Sequence, residues 1–314
     1  MSADQTMKCG SNLEKVLRSG SFAVTCECGP PKGPNPNHLI GKIDHIKGFA
    51  DAVNVTDNPT ASVRMSSIGA AAILSRHGVE PVMQMVTRDR NRIAAQSDVF
   101  GAHALGIRNM LCLSGDHQTF GNHPHAKNVF DIDSMQLLHM IRILRDEGKM
   151  DNGEPIDGKM NMFLGAAANP FADPFEFRVI RMAKKIMAGA DFIQTQCIFD
   201  MGRFREFMKM ACHMGLHEKC FILAGVTPLK SLGMARYMNQ SVPGISIPQE
   251  ILERIKGVPK SAQGEEGIRI LLEQIQELQE MEGVTGVHIM AIEWEEKIPE
   301  IMERARLLPR PQVD

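Results

Sequence analysis

The chain has 314 residues, 43% hydrophobic and 23% charged, and its 35 Lys and Arg against 37 Asp and Glu leave a formal net charge of −2. No apolar run approaches the roughly 18 residues of a membrane span, the opening MSADQTMKCGSNLEKV lacks a signal peptide's apolar core, and no concentrated basic face offers nucleic acid a footprint. Seven cysteines, an odd number in a chain large enough to build its own core, speak against a disulfide framework and for a reducing, cytoplasmic setting.

After an N-terminal extension, residues 1–20, short apolar or β-branched runs alternate with longer segments of helical period. Phe22–Cys28 leads to a helix over Asn37–Ala50, Ala52–Asp57 to Val63–His77, Pro81–Thr87 to Asn91–Leu105, and Met110–Ser114 to Ser134–Glu147. The pattern continues with Met162–Asn169 and Phe175–Ala188, Phe192–Phe199 and Arg203–Met214, Phe221–Thr227 and Glu265–Glu282, then Gly286–Ile292 and Ile298–Leu308. Eight such units without a linker predict an α/β protein folded as a single (β/α)8 TIM barrel over residues 1–314; a doubly wound open sheet fits the unit count less well. Three polar stretches break the rhythm: Asp116–Asp131, read as a mobile lid loop, Asp151–Lys159 and Ser241–Pro248.

Alternate side chains of a strand face opposite ways, so each barrel strand has an inward set. In the first strand that set is Ala23, Thr25 and Glu27. The same reasoning turns Asn54 and Thr56, Gln84, Cys112 with Ser114 and Asp116, and Gln194 with Gln196 inward from four further strands. Polar groups near the C-terminal ends of several strands mark where barrel enzymes build active sites. The alternative is a hydrogen-bonded polar plug without catalytic meaning. Glu27 and Asp116 are the two inward carboxylates, and two carboxylates in one partly dry pocket can divide the roles of acid and anion. Glu27, with no cation near it in sequence, is the candidate general acid.

These residues sit in segments that resemble the methylenetetrahydrofolate reductase family, over about Phe22 to Leu308. The anchors are Glu27 before Gly29-Pro30-Pro31, the VNVT run ending at Thr56, GIRNMLCLSGD ending at Asp116, and AGADFIQTQCIFD carrying Gln196. The resemblance implies a flavin-dependent barrel that reduces 5,10-methylenetetrahydrofolate to 5-methyltetrahydrofolate, hydride passing from reduced flavin to an iminium carbon while Glu27 protonates the folate nitrogen. It further implies that Asp116 and Gln196 hold the pterin, and that Thr56, Leu113, Ser114, Gly115, Ala167, Asn169 and Lys185 line the flavin. Gln84 stands where the family commonly has a flavin-contacting histidine, Ser114 replaces an arginine, and Asn169 replaces a tyrosine.

Arg178 and Arg181 take approximately the places of an aspartate and an asparagine. With Lys185 they are spaced i, i+3, i+7, three cations on one helix face. Such a cluster can cradle a phosphate, which brings FMN in beside the FAD usual in the family; the alternative is a solvated charged face. Met238 matches a phenylalanine against which nicotinamide folds in NADH-using relatives, and Trp294 departs from a C-terminal substrate-contact position. The compact length and the Met- and Cys-rich character resemble forms from anaerobic bacteria such as acetogens, some of which receive electrons through an iron–sulfur and zinc partner subunit. Tetrahydrofolate, that partner subunit and an oligomer of the chain are the expected associations. No resident metal is expected: Cys26 and Cys28 lack a second pair, and His117, His123 and His125 lack a fourth ligand at metal-site spacing. Two other functions compete, a pterin-binding barrel methyltransferase without redox chemistry and a non-catalytic electron-relay or scaffold subunit.

Overall fold

The computed structural model describes residues 7–242 and 244–313. Residues 1–6 of the N-terminal extension, Pro243 within the Ser241–Pro248 stretch, and Asp314 lie outside the described residues. Eight parallel strands close into a barrel in sequence order: β1 (Ala23–Cys28), β2 (Ala52–Val55), β3 (Pro81–Val86), β4 (Asn109–Leu113), β5 (Phe163–Ala168), β6 (Phe192–Cys197), β7 (Phe221–Val226) and β8 (Gly286–Ile289). Each falls within the apolar run expected for it, give or take a residue at the start and up to three at the end. Closure is made by β1 against β8, with Thr25 opposite His288.

Helix α1 (Asn12–Arg18) precedes the barrel, and α2 (Asn37–Ile46), α3 (Ser67–Arg76), α4 (Arg92–Ala104), α5 (Ser134–Asp146), α6 (Phe175–Ala188) and α7 (Met201–His213) follow β1 to β6 in turn. Between β7 and β8 run three, α8 (Leu232–Ser241), α9 (Gln249–Lys256) and α10 (Gln263–Gln279), and α11 (Ile298–Arg304) follows β8. Local chemistry sets several of these starts. Asp133 and Gln136 form a reciprocal capping box on α5, and Asp200 caps α7 through the Arg203 amide. No helix among the described residues is long and apolar enough to cross a membrane.

Because the strands are covered on both faces, the alternation divides the apolar residues into two cores. Val24, Cys26, Val53, Met83, Met110, Cys112 and their equivalents pack under the helices, whereas Ala23, Ala52, Val82, Leu111, Phe163, Phe192 and Phe221 fill the lower barrel. Helix α1 closes that lower end by inserting Leu13, Val16 and Leu17. Its Glu14 side chain is fully buried and accepts from the Lys8, Cys9 and Gly10 amides and from Arg18. Burial pushes that carboxyl up, but the amides and the guanidinium outweigh it and hold it below its ordinary range.

The strand-four alternation is the one that sequence reading places out of phase. Cys112 faces the helices, not the interior, and Leu111 and Leu113 take the inward positions. The cause lies at the strand's first residue. Asn109 is fully buried at the barrel bottom, accepting from Ser11 Oγ at 2.6 Å and donating to Glu80 at 3.0 Å, which fixes 109, 111 and 113 as one set.

Phe163 and Phe192 stack with ring centroids 5.2 Å apart. Gly165, the next inward residue above Phe163, leaves room for them, since a Cβ there would lie 2.2 Å from Phe192 Cζ. A Gly165→Ala variant should therefore lose about 1–3 kcal/mol of stability through overpacking, read from the denaturant midpoint at unchanged slope. A midpoint equal to that of the parent protein would contradict this account of the lower barrel.

Candidate functional site

Above the aromatic floor the inward side chains turn polar. Thr25 is fully buried and its Oγ1 lies 2.9 Å from His288 Nδ1; His288 Nε2 in turn lies 3.8 Å from Glu27 Oε2 and has no hydrogen-bond partner. This places Glu27, itself partly exposed, at the end of a column that begins in the barrel wall. Across the interior, Asn54 Nδ2 donates to Gln194 Oε1 at 3.0 Å, and both residues are buried. Gln84, also buried, lines the space between them and the mouth.

Two adjoining cavities, of about 820 and 370 Å³, open at the C-terminal ends of the strands. Both are lined by Glu27, Gln84, Leu113, Ala167, Gln196 and Met290, and both reach Arg181 and Lys185 on α6. The larger one takes in Thr56, Ser114, Gly115, Asp116 and Met238, the smaller one Asn169 and Arg178. Every residue that the sequence assigns to catalysis, substrate or cofactor thus borders one cavity or the other, whereas Asn54 of the inward polar set borders neither. Their attitudes differ from the expectation at two places. Ser114 lies beyond the end of β4 and its Oγ accepts from the Ser134 amide at the start of α5. Asp116 is an exposed carboxylate on the rim, not an inward one.

Asp116 is nonetheless held. Its Oδ2 accepts from the Thr60 amide at 3.0 Å, on a segment where Asn58, Thr60 and Ala61 all have positive φ. Non-glycine residues in that region each cost on the order of 1–3 kcal/mol and persist where the surroundings enforce them. Arg88 supplies much of that enforcement: buried after β3, it donates to the Asp116 carbonyl at 3.0 Å and the Asn58 carbonyl at 3.3 Å, with its charge paired to Asp89. Sequence reasoning passed over Arg88 and His288. Arg88's place directly after the strand was a usable signal, whereas His288 in GVHIMAI reads as one polar residue in an apolar run.

In β6 a register irregularity after Gln194 lets consecutive residues face the site. Gln196 lines the cavity while its Oε1 accepts from the Cys197 amide at 3.0 Å, and Cys197 Sγ lies 2.9 Å from Thr227 Oγ1. Met238 on α8 is buried with Cys197, Ile245 and Met290 in an apolar wall of the larger cavity.

The three cations of α6 are not equivalent. Arg178 is engaged with loop carbonyls, donating to Ala172 at 2.9 Å and also to Asp173. Arg181 has no hydrogen-bond or ion-pair partner among the described residues. Lys185 Nζ donates to the Ala167 carbonyl at 2.5 Å, and burial, then the Arg181 charge, push it down to about 8. These side chains turn toward the cavities, and the exposed positions of the same helix are Glu176, Phe177, Ile180, Lys184 and Met187. An unpaired guanidinium beside a desolvated lysine is an environment that an anion would complete.

The sequence model of the family described as "Methylenetetrahydrofolate reductase" matches residues 12–306. Among curated relatives, the "Probable methylenetetrahydrofolate reductase (NADPH)" of Caenorhabditis elegans is 25% identical over 306 residues, covering 93% of this chain and 43% of its own length. "Methylenetetrahydrofolate reductase 1" of Schizosaccharomyces pombe is 24% identical, covering 94% of this chain and 47% of its own. The chain therefore spans about half the length of the curated relatives it matches. A solved structure from Clostridium thermocellum, an uncharacterized protein described as binding two copies of 5-methyl-5,6,7,8-tetrahydrofolic acid, superposes with a TM-score of 0.59 at 15% identity. The match covers 94% of this chain and all of that one. At that identity the likeness is one of fold.

The state of Lys185 has a measurable consequence. Its charge is present below about pH 8 and lost above it, so pyrophosphate, used as a probe of the cavity, should bind more weakly by about tenfold or more as pH rises through that value. Lys185→Met should flatten the dependence. Calorimetric titration reads both, and an affinity that does not change through that range in the parent protein would refute the assignment.

Proposed function

The chain belongs to the methylenetetrahydrofolate reductase family, and on that premise we propose that it reduces 5,10-methylenetetrahydrofolate to 5-methyltetrahydrofolate with a bound flavin. The observation that carries this reading is the pairing, across one continuous pair of cavities, of an inward carboxyl that lines both, Glu27, with an unneutralised cation cluster, Arg181 and Lys185. One end suits proton transfer to a substrate and the other suits a phosphate.

The residues fit a flavin in kind. Thr56 Oγ1 and His288 Nε2 are buried polar atoms without partners, Leu113 and Ala167 offer apolar surface, and the Ser114-Gly115 turn brings backbone to the cavity wall, with Gly115 at φ +83°. We assign Thr56, Gln84, Leu113, Ser114, Gly115, Asp116, Ala167, Asn169, Arg178, Arg181 and Lys185 to cofactor binding. A phosphate against Arg181 and Lys185 is common to FAD, the family's usual flavin, and FMN. Reduced flavin supplies the hydride when bound.

The protein's own part is the proton and the positioning. Glu27, held near His288, donates a proton to the folate nitrogen; the bond from that nitrogen to the bridging carbon breaks, leaving that carbon an iminium carbon on the other nitrogen. Hydride addition completes the methyl group, and Glu27 is left as carboxylate, to be reprotonated from solvent. Gln196 and Asp116 orient the pterin through its N–H groups, and Met238 closes the apolar side. The resemblance to forms from anaerobic bacteria is the basis for proposing that electrons reach the flavin through a partner subunit, and Met238 in place of the family's phenylalanine argues against direct NADH use, in the reducing cytoplasm that seven free cysteines suit.

Glu27→Gln removes the proton and leaves the shape. Turnover of methylenetetrahydrofolate, assayed with an artificial electron donor, should fall by about 10²–10⁴-fold with flavin content unchanged. Full turnover in that variant would refute the general-acid role, and loss of the flavin alone would move Glu27 from chemistry to cofactor binding.

A further inference from the structure

At the N-terminal end of the barrel, opposite the cavities, the last turn of α7 and the turn after it meet the turn between α10 and β8. There Cys212, His217 and Glu282 bring a thiol, an imidazole nitrogen and a carboxylate oxygen within 4.8 Å of one another. They are the one such trio among the described residues. His217 Nδ1 is buried and has no hydrogen-bond partner. The backbone is shaped around the trio: Gly215 and Gly283 both have positive φ, and a Cβ on Gly283 would lie 3.0 Å from Cys212 Sγ and 3.0 Å from His217 Cβ. At that φ and that spacing any other side chain would be strained against Cys212 and His217.

We propose that Cys212, His217 and Glu282 form a zinc site that clips these two turns together, with water as the fourth ligand. Thiolate, imidazole and carboxylate are the ligand types of zinc, and tetrahedral coordination needs donors about 3.3–3.8 Å apart. The exposed Glu282 side chain closes the remaining distance by rotation. A cavity of about 380 Å³ bordered by Cys212 and Glu282 gives the ion and its water a route in. Binding exchanges the thiol proton, now directed at the Glu282 carbonyl 3.7 Å away, for the metal, so one proton is released per ion and nothing is oxidised or reduced.

The test is titration of the full-length, metal-free protein with Zn²⁺ and, as a spectroscopic probe, Co²⁺. One equivalent of either should bind, Co²⁺ with a thiolate charge-transfer band, and Zn²⁺ should raise the melting temperature. Outer-shell changes at metal sites already cost about 10–100-fold in affinity, so Cys212→Ser and, separately, His217→Gln should each weaken binding by at least that much. The Cys212 variant should also lose the band. Cys9→Ser, at the other partly exposed cysteine, should keep both. Circular dichroism verifies that each variant is folded, and the two ligand variants give independent readings. Absence of a cobalt band in the parent protein, or a band that survives Cys212→Ser, would overturn the proposal.

Discussion

The hydrogen bond between Thr25 and His288 joins the first strand of the barrel to the last, and the rest of the site depends on it. Thr25 and His288 are register partners across the closing seam, fully buried, and 2.9 Å apart at Oγ1 and Nδ1. With Nδ1 engaged, Nε2 faces Glu27, two residues further along β1 on the same face. The seam that closes the fold therefore also aims that inward acid. Were β1 displaced by one residue against β8, Glu27 would point at the helices and the interior would lose that carboxyl.

Around that seam the barrel divides by height. Aromatic and aliphatic side chains, sealed by α1 from below, fill the lower half, and amides, a carboxyl and a histidine occupy the upper half. Such groups are costly to bury without partners. Some are paired, as Asn54 Nδ2 is with Gln194 Oε1; others, including Asn54 Oδ1, Thr56 Oγ1 and His288 Nε2, are unsatisfied. Opposite them the α6 cations hold positive charge in a partly desolvated place, where Lys185 is already displaced toward its neutral form. The cavities are thus incomplete in two chemically distinct ways, one calling for hydrogen-bonding rings and one for an anion.

The barrel could be read from sequence because its signal is repetitive: each strand is a short apolar run before a helix of clear period. The inward faces were readable wherever polar residues alternate with apolar ones, as in β1 and β6. They were not in β4, where NMLCL carries apolar residues on both faces and the phase is set by the Asn109 contacts with Ser11 and Glu80, far away in sequence. His288 and the Cys212, His217 and Glu282 trio share that difficulty, since each is completed by a residue from another strand or turn. Helix α1 presents the opposite case: its residues looked like an extension, yet Leu13, Val16 and Leu17 plug the barrel. The cation spacing on α6 was plain in sequence, whereas the engagement of Arg178 by loop carbonyls required the fold.

The most direct test of the central claim is the visible absorption spectrum of the purified protein, loaded with flavin if necessary, followed anaerobically as 5-methyltetrahydrofolate is added. The account predicts a bound flavin whose oxidised absorbance bleaches as the methyl group of the folate returns a hydride. A protein that cannot be loaded with flavin, or one whose bound flavin stays oxidised in the presence of the folate, would contradict it.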